Sequence, residues 1–412
     1  MRISNLQFGR PGFVAMQDNQ ELLNKTQEQL ATGKRVNKPS DDPIAATAIL
    51  TLKEEISVTQ QYIDNSTAAK NKLELEESTL ANVDDLILNI QELIIRGGSA
   101  SLTETDKKTL ADEIEVRFEQ LMGMANTRGA DGNYLFGGYQ SRTQPFTVDN
   151  AGNVTYAGDE GVRRIQLSAA VTVPVSDNGN EIFMRVPNSL GDFQVTLGPT
   201  NDGTGYVEYA RVVDNTTYVS DTYTLNFITN GAGNLAYQVV DSGGAVIDPA
   251  PPADPIINAQ EFTTGQPITF NGIEVQVTDN PIPGDSFELQ PSSSQDLFSI
   301  VQRAMDTLRR PLEDQGDYNQ QSVELRRIIA DLDEGLDNVL EVRSKVGARM
   351  NLVDKELQQN ETHELVSTQN LSEIEDLDYA DAISIYQRQL TALQAAQQSY
   401  TQITNLSIFN YL

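Results

Sequence analysis

LRRIIADLDEGLDNVLEVRSKVGARMNLVDKEL, residues 325–357, decides the fold. Leu325, Ile329, Leu332, Leu336, Val339, Arg343, Val346, Met350, Val353 and Leu357 follow one another by alternating fours and threes. A period near 3.5 held over several heptads means a long helix that buries one stripe against partner helices. The other half of the chain answers it. Ile49, Leu52, Ile56, Thr59, Ile63, Ser66, Lys70 and Leu73 keep the same step, and Leu80, Val83, Ile87, Ile90 and Ile94 resume it. Helices from opposite ends of a sequence share a bundle only if the chain goes out and returns. The expected fold is therefore mainly α with a β insertion: a long antiparallel helical rod built from both chain ends, with a β-rich outer domain between them.

Working outward, the first helix is expected over residues 12–31, with Met16, Leu23 and Leu30 spaced by seven and Gly33 suited to a left-handed C-cap. The linker KRVNKPSDDP follows. Pro39 disfavours a helical residue before it, Ser40 or Asp42 can cap the next helix, and Pro43 fits its first turn. That second helix reaches about Ile95 and breaks at Gly97-Gly98. A third fits residues 104–126, with Thr103 as N-cap and Asp106 near its positive end. From Gly129 the pattern turns to strands. Runs 162–175, 206–213, 218–227 and 268–277 are punctuated by turn residues at Asp131, Asn178, Asn201–Gly203, Asn230 and Gly243. DPAPPADP, residues 248–255, reads as an exposed loop or a join. Helical patterning returns at Ser294 and runs to the end, with one break at 311–317. The domains expected are 1–44 with 371–412 as a terminal coiled-coil core, 45–140 with 291–370 as a helical rod, and 141–290 as a β-rich outer domain of one or two subdomains.

The 29 basic and 59 acidic side chains leave a net charge of −30, which argues against nucleic acid or an anionic membrane as partner. There is no cysteine and a single histidine, His363, so thiolate catalysis, thiolate metal sites and Ser-His-Asp triads have almost no raw material. No run of about 18 apolar residues exists to span a membrane, and MRISNLQFGR lacks the apolar core of a cleavable signal peptide. Charge is uneven. Residues 140–290 hold no lysine, five arginines and 18 acids, whereas Ala382–Leu412 holds one charged residue, Arg388. The middle resembles a surface kept in water, and the ends resemble surfaces that become covered.

Each apparent chemical motif has a plainer reading. Asp41-Asp42 caps a helix more readily than it works as an acid/base pair or metal site. DNAGN (149–153) and TNDGTG (200–205) lack the ligand spacing and terminal Glu of a calcium loop and read as hairpin turns. Asn65-Ser66-Thr67 lies mid-helix, and His363 sits on a charged, solvated stretch. No Walker loop, GxSxG or GxGxxG is present. No catalytic, cofactor or metal residue is assigned. The terminal seam, by contrast, runs on through Ile383, Tyr386, Leu390, Leu393, Tyr400, Ile403, Leu406 and Phe409, and a lone terminal hairpin buries too little to stay folded. These side chains, with Met16, Leu23 and Leu30, are expected to pack against neighbouring subunits.

LATGKRVNKPSDDPIAATAI (30–49) resembles the N-terminal signature of the flagellin superfamily. MRISN, GADGNYLFGGYQSRTQPF (129–146) and LQAAQQSYTQITNLSIFNYL (393–412) resemble, within that superfamily, the hook-associated protein 3 family of hook–filament junction proteins. Residues 147–290 match nothing recognised. The resemblance implies a non-enzymatic structural protein with no cofactor, in which Met16, Leu23, Leu30, Ile383, Leu390, Leu393, Tyr400 and Leu406 make axial contacts. It implies that Lys34, Arg35, Asn37, Pro39, Ser40, Asp41, Asp42 and Pro43 link core to rod. It also implies a ring of copies between hook-associated protein 1 and flagellin, terminal helices that order on assembly, export through the flagellar type III apparatus to the cell exterior, and a cytoplasmic chaperone on the C-terminal segment. A filament-forming flagellin is the alternative, disfavoured by the Pro39 linker and the SIFNYL ending. An extracellular adhesin or coiled-coil fibre is a third reading.

Overall fold

The computed structural model describes residues 5–149, 152–250, 254, 256–292, 294–313 and 315–405, and side chains from Gly12 to Gln402 within those ranges. Six helices carry the two ends: α1 Asn5–Thr32, α2 Pro43–Gly97, α3 Glu104–Ala125, α4 Leu297–Arg309, α5 Gln315–Glu375 and α6 Tyr379–Asn405. The described residues form two compact units. One comprises residues up to Thr67, Leu167–Ala170 and those from Lys355 onward; the other comprises Ala68–Gln166 and Val171–Asp354.

In the second unit the heptad seam is a core. Leu73, Leu80, Val83, Ile87, Ile90 and Ile94 of α2 are fully enclosed, as are Leu332, Val339, Val346 and Val353 of α5. The two stretches run antiparallel. Gln91 pairs with Asp333, Arg343 with Asp84 and Glu77, and Lys70 with Asp354, so partner numbers fall on one helix as they rise on the other. The helix ends follow their local chemistry. Thr103 and Asp106 form a reciprocal capping box on α3, and Asp296 caps α4 by accepting from the Ser299 N–H. Phe118, Phe146, Phe183 and Phe298 stack in edge and tilted contacts of 5.3–6.2 Å, joined by Phe136 at 5.4 Å from Phe183. This knot fastens the segment leaving α3 to α4.

The insertion begins with antiparallel hairpins, β1 Phe146–Val148 with β2 Val154–Tyr156 and β3 Arg164–Gln166 with β4 Thr172–Pro174. The run 162–175 is thus two short strands and not one. A short β5, Val186–Pro187, precedes a sandwich built from β6 Phe193–Leu197, β7 Tyr206–Val212, β8 Tyr223–Thr229, β9 Leu235–Val240, β10 Val246–Asp248, β11 Gln260–Glu261, β12 Pro267–Phe270, β13 Ile273–Thr278 and β14 Ser286–Pro291. One sheet has the order β10-β9-β8-β14-β6 with β11 also on β9, the other β12-β13-β7. Their alternating inner residues, among them Phe193, Leu225, Phe227, Val275, Phe287 and Leu289, make one apolar core. Asn271-Gly272, both at positive φ, turn the β12–β13 hairpin.

Four expectations need correcting. Strand β8 starts at Tyr223, so 218–222 is not part of it. Asn178 makes no hairpin; its side chain accepts from the Glu181 N–H at the start of a single π turn, Asn180–Met184. TNDGTG connects strands of different sheets, and its Asp202 and Gly203 N–H groups donate to the buried Asp285 carboxylate. The C-terminal helix is broken a second time, at 376–378, where Asp378 accepts from the Ala380 and Asp381 N–H groups and restarts it as α6.

Candidate functional site

In the first unit α1 and α6 lie antiparallel: the Phe13 ring meets Tyr400 at 6.5 Å, and Gly33 lies beside the Tyr379 hydroxyl. Apolar spacing by sevens forms these helices, and the pairing settles where each predicted contact falls. Leu23 and Leu393 are buried within the chain, with Thr26 and Ala382. Met16, Leu30, Tyr386 and Tyr400 are half-buried. Ile383 and Leu390 face outward, 50% and 37% exposed. The Ile403 side chain, Leu406 and Phe409 lie outside the described residues. Sequence reasoning missed Phe13, Val14, Leu22 and Tyr379, whose large apolar side chains are also exposed. Phe13, Val14 and Leu22 step by one and eight and share no single stripe of α1, so no repeat announced them. The hairpin therefore buries part of its apolar surface internally and leaves these side chains exposed, and α6 carries only Asp381 and Arg388 as charged residues.

The linker is tied down residue by residue. Gly33, at φ +71, ends α1. Lys34 bridges to Asp376, and the Arg35 N–H donates to the Glu375 carbonyl at 2.8 Å while its guanidinium reaches the Ile374 carbonyl. Lys34 and Lys53 both grip the Glu375 carboxylate, at 2.6 and 2.8 Å. Burial pushes Glu375 up, but these two cations outweigh it and hold the carboxyl below its usual range. Asn37 hydrogen-bonds Thr32, and the Asn37 and Lys38 N–H groups donate to Asp41. Lys25, at 3.1 Å, is the main cause of Asp41's lowered pKa. Asp42 caps α2 through the Ile44 and Ala45 N–H groups, and Pro43 is its first residue. Pro39 and Ser40 are exposed at the turn. Val36, Ala45 and Ile49 pack on Leu371 and Ile374 beneath. The acid pair is structural, as its capping reading required. The clamp's other jaw, residues 374–377, had no legible signal except the acid run EIEDLD.

This arrangement fixes where the chain leaves α1 and enters α2. Among the described residues no cluster of metal-ligating side chains occurs, and no helix is long and apolar enough to cross a membrane.

The profiles of the bacterial flagellin N-terminal helical region and C-terminal helical region match residues 14–141 and 329–412. The flagellar hook-associated protein 3 of Escherichia coli (strain K12) is 25% identical over 410 residues, 99% of each chain. A crystal structure of flagellar hook-associated protein 3 from Legionella pneumophila, at 32% identity, covers 79% of this chain and 98% of that one with a TM-score of 0.71. The chain belongs to the flagellar hook-associated protein 3 family. A crystal structure from Xanthomonas campestris, at 23% identity and a TM-score of 0.66, shares the fold. Hook-associated protein 3 is a structural protein of the flagellum's hook–filament junction, and this chain is one. The flagellin-like reading that favoured the junction over a self-sufficient filament or an adhesin stands.

Proposed function

We propose that the exposed apolar side chains of the α1–α6 hairpin form the surface by which copies of this chain join one another and their neighbours in the flagellar axis. One observation carries the reading. Phe13, Val14, Leu22, Ile383 and Leu390 stand between 37% and 51% exposed on helices that already bury Leu23 and Leu393. Exposed apolar surface of this kind marks interaction sites. Covering a Leu, Ile or Phe is worth about 1.5–3 kcal/mol, so a handful per subunit, repeated around a ring, outweighs the entropy of fixing the terminal helices. Met16, Leu23, Leu30, Leu393 and Tyr400 hold the hairpin in register for that contact, and the clamped linker from Lys34 to Pro43 fixes its exit. Residues 1–44 with 371–412 form the axial layer, 45–140 with 291–370 the helical layer, and 141–290 the outer domain. The neighbours are hook-associated protein 1 on the hook side and flagellin on the filament side. Before export to the cell exterior, a cytoplasmic chaperone shields the C-terminal segment.

The double variant Ile383→Asp/Leu390→Asp tests this. Both side chains are outward, so the isolated protein is expected to keep the parent's circular dichroism spectrum while disappearing from purified flagella and abolishing swimming. Normal incorporation of that variant would remove the proposal.

A further inference from the structure

Both chain crossings between the α1–α6 hairpin and the adjoining stretch of α2 and α5 pass through one small clamp. Neither crossing is stiffened by a continuous helix: α1 stops at Thr32 and α2 starts at Pro43, α5 stops at Glu375 and α6 starts at Tyr379. Two backbone bonds join the crossings, from the Leu377 N–H to the Gly33 carbonyl at 3.0 Å and from the Arg35 N–H to the Glu375 carbonyl at 2.8 Å. At the centre is the Glu375 carboxylate, on a residue 7% exposed. Lys34 of the linker and Lys53 of α2 both place Nζ on the same atom, Glu375 Oε1. The other charges here are met locally. Asp376 acts on Lys34 from the same strand and accepts from the Ser372 hydroxyl at 2.5 Å, and the Arg35 guanidinium holds the Ile374 carbonyl. On the α1 side Lys25 pairs with Asp41 at 3.1 Å and Lys38 with Glu28 at 3.0 Å. The packing beneath, Val36, Ala45 and Ile49 on Leu371 and Ile374, is apolar.

Two ammonium groups on one oxygen are stable together because a negative charge lies between them. With the carboxyl neutral, the same geometry sets like charges against each other at short range. Lys53 is anchored in a long helix, whereas Lys34 sits on a short linker, so the linker is the part that yields. We propose that Glu375 is the pin of a charge-operated hinge: ionised, it locks the hairpin at one angle to the adjoining stretch of α2 and α5; neutral, it expels Lys34 and lets the hairpin swing. The hinge controls how the surface proposed above is presented, and it rests on that reading only for its consequence in flagella. Because the two lysines hold the Glu375 carboxyl below its usual range despite burial, the lock is complete above the ordinary carboxyl value and is lost as pH falls below it.

The chain has no cysteine, so spin labels can be placed at will. Gln20→Cys on α1 with Ser57→Cys on α2 reads the hinge in the free full-length protein, and Ser57→Cys with Thr362→Cys reads α2 against α5; all three positions are exposed. Both pairs are expected to give narrow distance distributions at pH 7. Glu375→Gln at pH 7, and the parent below about pH 4, are expected to broaden the hinge pair at least about twofold while the control pair stays narrow. Lys53→Met/Glu375→Gln removes one of the two facing ammoniums and is expected to restore the narrow distribution, which loss of a merely structural hydrogen bond would not do. The acid titration needs no substitution in the clamp. A hinge pair unchanged in Glu375→Gln or in acid, both pairs broadening together, or a double variant as broad as the single one overturns the hinge. Failure of the assembly reading shows instead as normal incorporation of Ile383→Asp/Leu390→Asp and leaves these distances in the free protein as they are.

Discussion

Glu76 takes the seam position between Leu73 and Leu80, and it is fully enclosed. Its Oε1 accepts from the Asp177 N–H at 2.9 Å, and its Oε2 has no partner. Burial, followed by the negative charge of Asp177, pushes its pKa up to about 8. Asp177 itself is forked by Arg349 at 2.8 Å. The folded protein therefore holds a proton that the unfolded chain releases near the ordinary carboxyl value. Stability from this group is fully present below that value, falls as pH rises towards 8, and levels off above it. Glu76→Gln keeps the shape and removes the titration. Thermal or urea melts from pH 5 to 9 are expected to show the variant nearly level with the parent at pH 5 and more stable by about 2–4 kcal/mol at pH 9. Parallel stability curves across that range would show that the carboxyl is not protonated in the folded state. At this scale the sequence was partly readable. Gly33, Thr103 and Asp42 announced their caps because capping is local. Glu76 did not, since a hydrophobic pattern registers apolar residues and shows a buried carboxyl only as a missed beat between Leu73 and Leu80.

Among elements, the α2–α5 pair is latched by Arg343, a cation at a seam position. It sits 2.8 Å from Glu77 and 2.6 Å from Asp84, itself raised by burial despite that cation. Removing one partner of a part-buried network leaves its carboxylates facing each other. Arg343→Met is expected to lower the stability of the isolated protein by about 1–3 kcal/mol. Arg343→Lys should recover less than half of it, because a point charge cannot span two carboxylates as a fork does. Urea unfolding with an unchanged slope reads both values, and a lysine variant equal to the parent would refute the forked geometry. Both helices were legible from their heptads, and α3 from its cap. The stop at 376–378 was not, because Leu371 and Ile374 carry the apolar beat up to it and its cap, Asp378, is one acid among many. In the sandwich, alternation marked β7, β8, β12 and β13 and left β6, β9, β10, β11 and β14 unmarked; which strand pairs with which depends on contacts far apart in sequence, and local pattern is silent there.

For the whole molecule, the reading from the sequence held that the terminal stripes stay unsatisfied within one copy. The structure splits that stripe: Leu23 and Leu393 are buried and Phe13 meets Tyr400 while staying partly exposed, whereas Val14, Leu22, Ile383 and Leu390 remain exposed. The seven-residue step showed that these helices pair, but which of their apolar residues become buried cannot be told without the partner in place. A chain lacking Ala382–Leu412 keeps the seam core between Leu73 and Ile94 and the sandwich core. It is expected to purify as a folded, soluble monomer with the parent's main unfolding transition, and to be absent from hook–filament junctions. Truncated protein found in isolated flagella would count against an assembly role for α6. In the assembled junction, neighbouring subunits are expected to cover the hairpin's exposed apolar side chains. Hydrogen–deuterium exchange of the free protein against the same protein in isolated hook–filament junctions tests it most directly. The amides of Asn5–Thr32 and Tyr379–Asn405 are expected to exchange within seconds to minutes when free and to be protected at least about a hundredfold in the junction, the α2–α5 seam being slow in both. Equal, strong protection of those two helices in the free protein would contradict it.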